Sequence, residues 1–201
     1  LNRGMMSFGA HELIGLNEAL MAKSANIELL SFLSQHVQDQ RLRNMLEQHA
    51  ESVHHHYMQG VQLLQGQGQE VYAKPGFAES NMEYYGQPKL GLRNPNMPMP
   101  RLNAQAPSER TICTTALSLY KFGAIGWTTY GLECTNPQLR EWFMRGTAMS
   151  DKMAYEMWGF MNQKGYYQVI TLPNETIQAM MHAYTPSQMS LNQGVNAMPY
   201  Q

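Results

Sequence analysis

The sequence predicts an all-α fold, a four-helix bundle made of two antiparallel helical hairpins joined by a long crossover. Three observations lead there. Apolar residues recur at helical spacing over four long stretches. Short polar turns link the first two stretches and the last two, and a Pro- and Gly-rich segment separates the pairs. The composition agrees: 20 Leu, 17 Met and abundant Ala favour helices, whereas Val and Ile together number 12, too few for a large parallel sheet.

The first helix is expected over about 10–37, where Leu13, Leu16, Leu20, Ile27 and Leu30 recur and no proline intervenes. Gln38-Asp39-Gln40 marks a turn. The second helix runs over about 41–65, with Leu42, Leu46, Val53, Tyr57 and Leu64 on one stripe. So short a link forces the two helices antiparallel. Residues 66–106 hold five prolines and several glycines without periodicity, which marks them as the crossover.

Helical patterning returns at Pro107-Ser108-Glu109, a cap with an acid in the first turn, and runs through Ile112, Ala116, Leu119 and Ile125 to about 133. Thr135-Asn136-Pro137 breaks it. The fourth helix spans about 138–163 and ends at Lys164-Gly165. A short amphipathic helix is expected near 174–184, and a Gln/Asn/Met-rich tail follows over 186–201, beyond a single domain of 1–185. The halves echo each other at an offset of 97: Asp39-Gln40-Arg41-Leu42-Arg43 aligns with Asn136-Pro137-Gln138-Leu139-Arg140. The second helix's stripe maps onto Leu139, Phe143, Ser150, Ala154 and Met161. Two hairpins and one long crossover make the arrangement ferritin-like.

Several function classes fall on composition. Charged residues amount to 14%, against ~25% in an average soluble domain. Gln and Asn, 18 and 13 copies, supply the missing polarity, and the formal net charge is −1. That charge makes no field to hold nucleic acid or an anionic membrane. No apolar run approaches the ~18 residues of a membrane span. The first residues lack an export signal's apolar core and cleavage box, and two cysteines, Cys113 and Cys134, make no disulfide framework. Synthesis in a reducing cytosol is therefore expected. A thiol contact between subunits stays open. No Gly-x-Ser-x-Gly elbow or phosphate-cradling Gly-x-x-x-x-Gly-Lys-Ser/Thr loop is present.

Four motifs in order carry a family resemblance. They are Gly9-Ala10-His11-Glu12-Leu13 leading to Asn17-Glu18-Ala19-Leu20, the Asp39…Leu42-Arg43 turn, Asn136-Pro137-Gln138-Leu139-Arg140, and Met161-Asn162-Gln163-Lys164-Gly165-Tyr166-Tyr167. Together, over roughly 9–184, they resemble the spore coat protein F (coat F domain) family of endospore-forming bacteria. The resemblance implies a ferritin-like bundle, synthesis in the mother-cell cytoplasm, deposition in the spore coat, and no established catalytic activity. Family members often place a histidine about eleven residues before the final glycine of the last motif. Ala154 stands there, and its counterpart in the first half is Tyr57.

A ferritin-like bundle raises a di-iron or di-manganese centre as the enzymatic alternative. Such a centre wants a Glu from each of two helices and Glu-x-x-His from each of the other two. The first half offers Glu18 and, 33 residues on, Glu51-Ser52-Val53-His54. Two arguments oppose it. Glu51 falls ~180° from Leu42, away from the core stripe. The repeat also maps Glu18, Glu51 and His54 onto Thr115, Ala148 and Asp151, which cannot complete a cage. Of His54-His55-His56, no three consecutive residues can chelate one ion, since they point about 100° apart; His49 and His56, seven apart, share a face. Met144, Met149, Met153, Met157 and Met161 are expected to fill core gaps rather than bind copper.

The expectation is thus a structural, non-catalytic protein with no cofactor and no small-molecule substrate, whose partners are other copies of itself and other spore coat proteins. The crossover and tail would supply assembly contacts through Tyr84, Tyr85, Met97, Met99 and Tyr200, since low charge weakens repulsion between copies and Tyr and Met suit interfaces. The eleven tyrosines also offer oxidative cross-linking sites. A metal-dependent oxidase or an adaptor that docks another coat protein are the alternatives.

Overall fold

The computed structural model describes residues 8–66, 87–93 and 99–184. Five helices occur among them: α1 (Ala10–Gln35), α2 (Gln40–Leu64), α3 (Glu109–Glu133), α4 (Pro137–Gln163) and α5 (Asn174–His182). The chain divides into two compact units, Leu1–Val169 with α1 to α4, and Ile170–Gln201 with α5. No residue of α5 is buried; it is an amphipathic helix of about two and a half turns with Ile177, Met180 and Met181 exposed.

In the first unit α1 packs on α2 and α3 on α4, and the hairpins meet through α1–α3 and α2–α4. The four helices begin and end where local chemistry says they must. The side chain of Asp39 accepts the N–H groups of Arg41 and Leu42, and that of Asn136 accepts those of Gln138 and Leu139. These are the same cap at the same repeat position, each relieving donors that a first helical turn leaves without a partner. Pro137 follows at the first helical position, where its missing N–H does no harm. The end of α4 is a Schellman motif: Gly165 takes φ 75°, its N–H reaches Asn162 O, and the Tyr166 N–H reaches Met161 O.

A second pair of interactions ties the hairpins together. Glu12 Oε1, at the start of α1, accepts the N–H groups of Thr135 and Asn136 in the α3–α4 turn, both at 2.7 Å. Glu109 Oε1, at the start of α3, accepts those of Gln38 and Asp39 in the α1–α2 turn, at 2.9 and 2.8 Å. The same offset of 97 relates donors and acceptors alike, so each hairpin clamps the other's turn. These bonds also fix directions: the start of α1 lies at the end of α3, and the start of α3 at the end of α1. Both cross-hairpin pairs are antiparallel, so the chain must cross the length of the bundle between α2 and α3. Part of that crossover is held by Asn162. Its side chain accepts the Lys89 N–H at 2.8 Å and donates to the carbonyls of Lys89 and Tyr167, while Gly91 N–H bonds Val169 O at 2.8 Å.

The core falls into two apolar clusters. One gathers residues such as Leu30, Leu42, Leu46, Ile112, Met157 and Phe160; the other gathers Leu16, Leu20, Leu63, Leu139, Trp142 and Phe143. Met149, Met153, Met157 and Met161 are buried, as the irregular gaps between helices invite. Four expected core positions differ. Leu13 and Leu64 are half-exposed, Ile125 is exposed, and Met144 sits at the edge. On α3 Trp127, about 200° around the helix from Ile125, points into the second cluster, and on α2 Leu63 rather than Leu64 points in.

The carboxyl of Glu12 is pushed up by burial, but its bonds from Asn136, Gly9 and Thr135 outweigh this and hold it below the usual range. Asp39 is likewise lowered, first by Lys164 at 2.6 Å. Depressed carboxyls stabilise the fold above their unfolded values and lose that contribution as pH falls through the folded ones. Glu12→Gln should therefore lower unfolding free energy by about 1.5–3 kcal/mol at pH 7, since bonds to a charged acceptor are lost. In urea titrations the gap from wild type should close in acid; a gap that persists there would show that charge is irrelevant to the clamp.

Candidate functional site

Between the two apolar clusters the interior turns polar. On α1, Lys23 falls between Leu20 and Leu30 and is only 1% exposed. On α2, His56 falls between Val53 and Leu63 and is buried too. Glycines open the space on the other two helices. Gly146 lies across from His56, whose Cε1 would sit 3.2 Å from an added Cβ, and Gly123 lies beside Trp127 and Ser150. Gly60 leaves room for Trp142; a Cβ there would meet the indole at 2.5 Å.

Among the described residues no carboxylate lies beside Lys23. Its ammonium lies over the indole of Trp127, 4.2 Å from the ring centroid, and 5.4 Å from that of Trp142. Aromatic faces offset part of the lost hydration of a buried cation. Burial still pushes the Lys23 pKa down to about 7. A cavity of about 20 Å³, room for one water-sized molecule, lies against Lys23, Asn26, Tyr120 and Ser150. His56 stacks on Trp142 with ring centroids 4.6 Å apart, and Trp142 Nε1 donates to the His56 carbonyl at 2.9 Å. Its Nε2 lies 3.0 Å from Trp142 O, an acceptor only, so Nε2 carries the proton. Nδ1 is buried without a partner. Burial, then the nearby Lys23 charge, holds His56 well below its ordinary pKa, so the ring is neutral.

One turn-pair away, His49 bridges Tyr120 and Glu156. Its Nδ1 lies 2.9 Å from the Tyr120 hydroxyl and its Nε2 2.8 Å from Glu156 Oε2. The carboxylate can only accept, so Nε2–H donates to it and the phenol donates to Nδ1. Burial, then Glu156, raises the Tyr120 pKa; on Glu156 burial acts upward, but His49 outweighs it and the carboxyl is lowered. The order carboxylate–imidazole–hydroxyl has the form of a proton relay. Among the described residues, the cavity against Tyr120 is the same void of about 20 Å³, with room for one water-sized molecule. What this chain of bonds does is fasten α2, α3 and α4 to one another.

The other sequence candidates lie elsewhere. Glu18 is exposed and accepts the Tyr130 hydroxyl. Glu51 and His54 are exposed on α2, as is His55. Glu18, Glu51 and His54 therefore do not converge. Among the described residues no three His, Cys, Asp or Glu are gathered to hold an ion, so a dinuclear cage does not fit this interior. Ala154, where the family resemblance leads one to expect a histidine, and its first-half counterpart Tyr57 are partly buried packing residues. Both cysteines are buried free thiols, Cys113 pushed up to about 12 and Cys134 to about 11 chiefly by burial, which keeps them protonated and unreactive at neutral pH. Met99 is exposed; Tyr84, Tyr85, Met97 and Tyr200 lie outside the described residues.

Sequence reasoning missed Lys23 and the Glu12–Glu109 clamp. Both left a signal. Lys23 continues the 4-3-4-3 series Leu16, Leu20, Lys23, Ile27, Leu30, a charge at a core position. The repeat offset carries Glu12 onto Glu109.

A helical bundle with two clamped hairpins and a filled interior is the class of protein these features define, and the comparisons specify it. Residues 108–169, the second hairpin with its Asn162 and Gly165 terminus, match the Coat F domain. The chain carries this match over about a third of its length. It is 25% identical over 183 residues to the spore coat protein F-like protein YhcQ of Bacillus subtilis (strain 168), an alignment covering 90% of this chain and 82% of the relative. No solved structure matches.

Two exchanges check the interior. Folded Lys23 loses its proton near pH 7 and unfolded lysine near 10.5, so the unfolded state binds more protons between them and stability should rise with pH across that window. Lys23→Met should remove this slope and stabilise the protein at pH 6 by about 1–4 kcal/mol, read from denaturant midpoints. Gly60→Ala should destabilise by about 1–3 kcal/mol through overpacking against Trp142, despite alanine's better helix propensity; thermal unfolding with a gain in stability would show that the indole yields.

Proposed function

We propose that this chain is a structural, non-catalytic component of a bacterial spore coat that associates with copies of itself and with other coat proteins. The Coat F domain over 108–169 is the observation that carries the reading. It is supported by the name of the YhcQ relative and by an interior whose polar groups face one another rather than a substrate. Made in the mother-cell cytoplasm, the protein would be laid down on the spore surface. Among the described residues no helix is long and apolar enough to cross a membrane. The formal net charge of −1 leaves little repulsion between copies, which favours close packing in a layer.

The reading is tested with the purified full chain. Sedimentation and electron microscopy over a concentration series should show growing assemblies, and elemental analysis should find no stoichiometric transition metal. A tagged copy expressed in a sporulating host should fractionate with the coat. Two tightly held ions per chain, or exclusion from the coat fraction, would overturn the proposal.

A further inference from the structure

The outer surface of the bundle is uneven. The side of α2 away from the core carries Glu51, Ser52, His54 and His55, all exposed, as a solvated helix should. α1 is different, being apolar on two sides. Leu16, Leu20 and Leu30 face in, while Ile14, Met21 and Phe32 lie 60, 66 and 53% exposed on a second stripe. α3 repeats the pattern outward with Phe122, Ile125 and Leu132, 74, 64 and 60% exposed. Helices apolar on both sides belong between two neighbours. Between α1 and α3 runs an open groove of about 660 Å³; Ala22, Leu119, Phe122 and Gly126 make its apolar stretch, Glu18 and Tyr130 stand at one end, and Thr114, Thr115 and Ser118 make the other end polar. An added Cβ at Gly126 would meet nothing within 4 Å, so the groove is open there. It extends along α3 from Thr114 to Tyr130, roughly 24 Å at 1.5 Å per residue.

The same chain carries an amphipathic helix, α5, none of whose residues is buried among the described ones. In α5 and the residue two beyond it, Ile177, Met180, Met181 and Tyr184 stand at i, i+3, i+4 and i+7, the anchor pattern of a helix that lies in a groove. All four are exposed, and its charged residues, Glu175 and His182, sit at its two ends, off the stripe. Its nine residues span about 13 Å, well inside the groove's length.

We infer that the α1–α3 groove is a docking site for α5 of a second copy of this chain. The contact is heterologous: each copy offers one groove and one helix, so every docked pair leaves a free groove and a free helix, and the association propagates. This inference rests on the self-association reading above and names its surface.

Two full-length variants test it, Ile177→Asp/Met181→Asp on the helix and Ala22→Asp/Phe122→Asp on the groove. All four positions are exposed, so the helical content by circular dichroism should be unchanged. In sedimentation velocity each variant alone should associate on the order of tenfold or more weakly than wild type. An equimolar mixture should form a 1:1 complex and stop there, because it retains one good groove and one good helix. If wild type assembles and both variants assemble equally well, the inference falls and self-association stands. If only the groove variant loses assembly, the face pairs with its own kind and α5 is not the occupant. If only the helix variant does, α5 docks elsewhere. A wild-type chain that stays monomeric throughout overturns the self-association reading and this contact with it.

Discussion

At each hairpin turn of this bundle, two successive backbone N–H groups point at a glutamate that belongs to the other hairpin. Glu12 takes those of Thr135 and Asn136, and Glu109 takes those of Gln38 and Asp39. A carboxylate accepting main-chain donors is among the stronger hydrogen-bond arrangements, and a turn whose donors are fixed in this way has little freedom to slide. The helix caps at Asp39 and Asn136 act on the same turns from within. Clamp and cap together set where the two hairpins meet end to end. The rest of the interior is built on that register: had the hairpins slipped by one turn, about 5.4 Å, Lys23 would leave the indoles and Gly60 would leave Trp142.

That register produces an interior of two apolar clusters with a polar layer between them. Lys23 lies over two indoles and neutral His56 stacks on Trp142 with its Nδ1 left without a partner among the described residues, while Tyr120, His49 and Glu156 form a bonded chain within the first cluster. A buried lysine without a counter-ion is a poor way to gain stability, since desolvation disfavours the charge. Its effect is on specificity: only one pairing of the hairpins places the ammonium over aromatic faces. Chemistry is therefore turned inward in this protein, while the apolar stripes of α1 and α3 are turned outward. These are the two features on which the proposed assembly role draws.

Most of the fold was legible in local sequence. Asp39 and Asn136, the Pro137 start and the Lys164-Gly165 end act through their own few neighbours, so the helix boundaries lie within one or two residues of expectation. The 97-residue offset, seen first in the turn residues, turned out to relate the clamps as well. Less was legible in the interior. His49 and His56 were rightly placed on one face, but periodicity could not say that the face was buried, nor that their partners were Tyr120, Glu156 and Trp142 on other helices. Ile125 on α3 and Ile14, Met21 and Phe32 on α1 have good helical spacing, and a helix with two apolar stripes gives no local sign of which faces its own bundle.

The amino-acid sequence by itself determined the helices, their caps, the long crossover and the twofold internal repeat, because these depend on side chains reaching backbone groups within a turn or two. Only the tertiary structure decided which glutamate holds which turn, that Lys23 rather than Glu18 is buried, and which apolar stripe is left exposed. Those outcomes arise where side chains from four helices compete for the same volume, and no single segment contains the information to settle that competition.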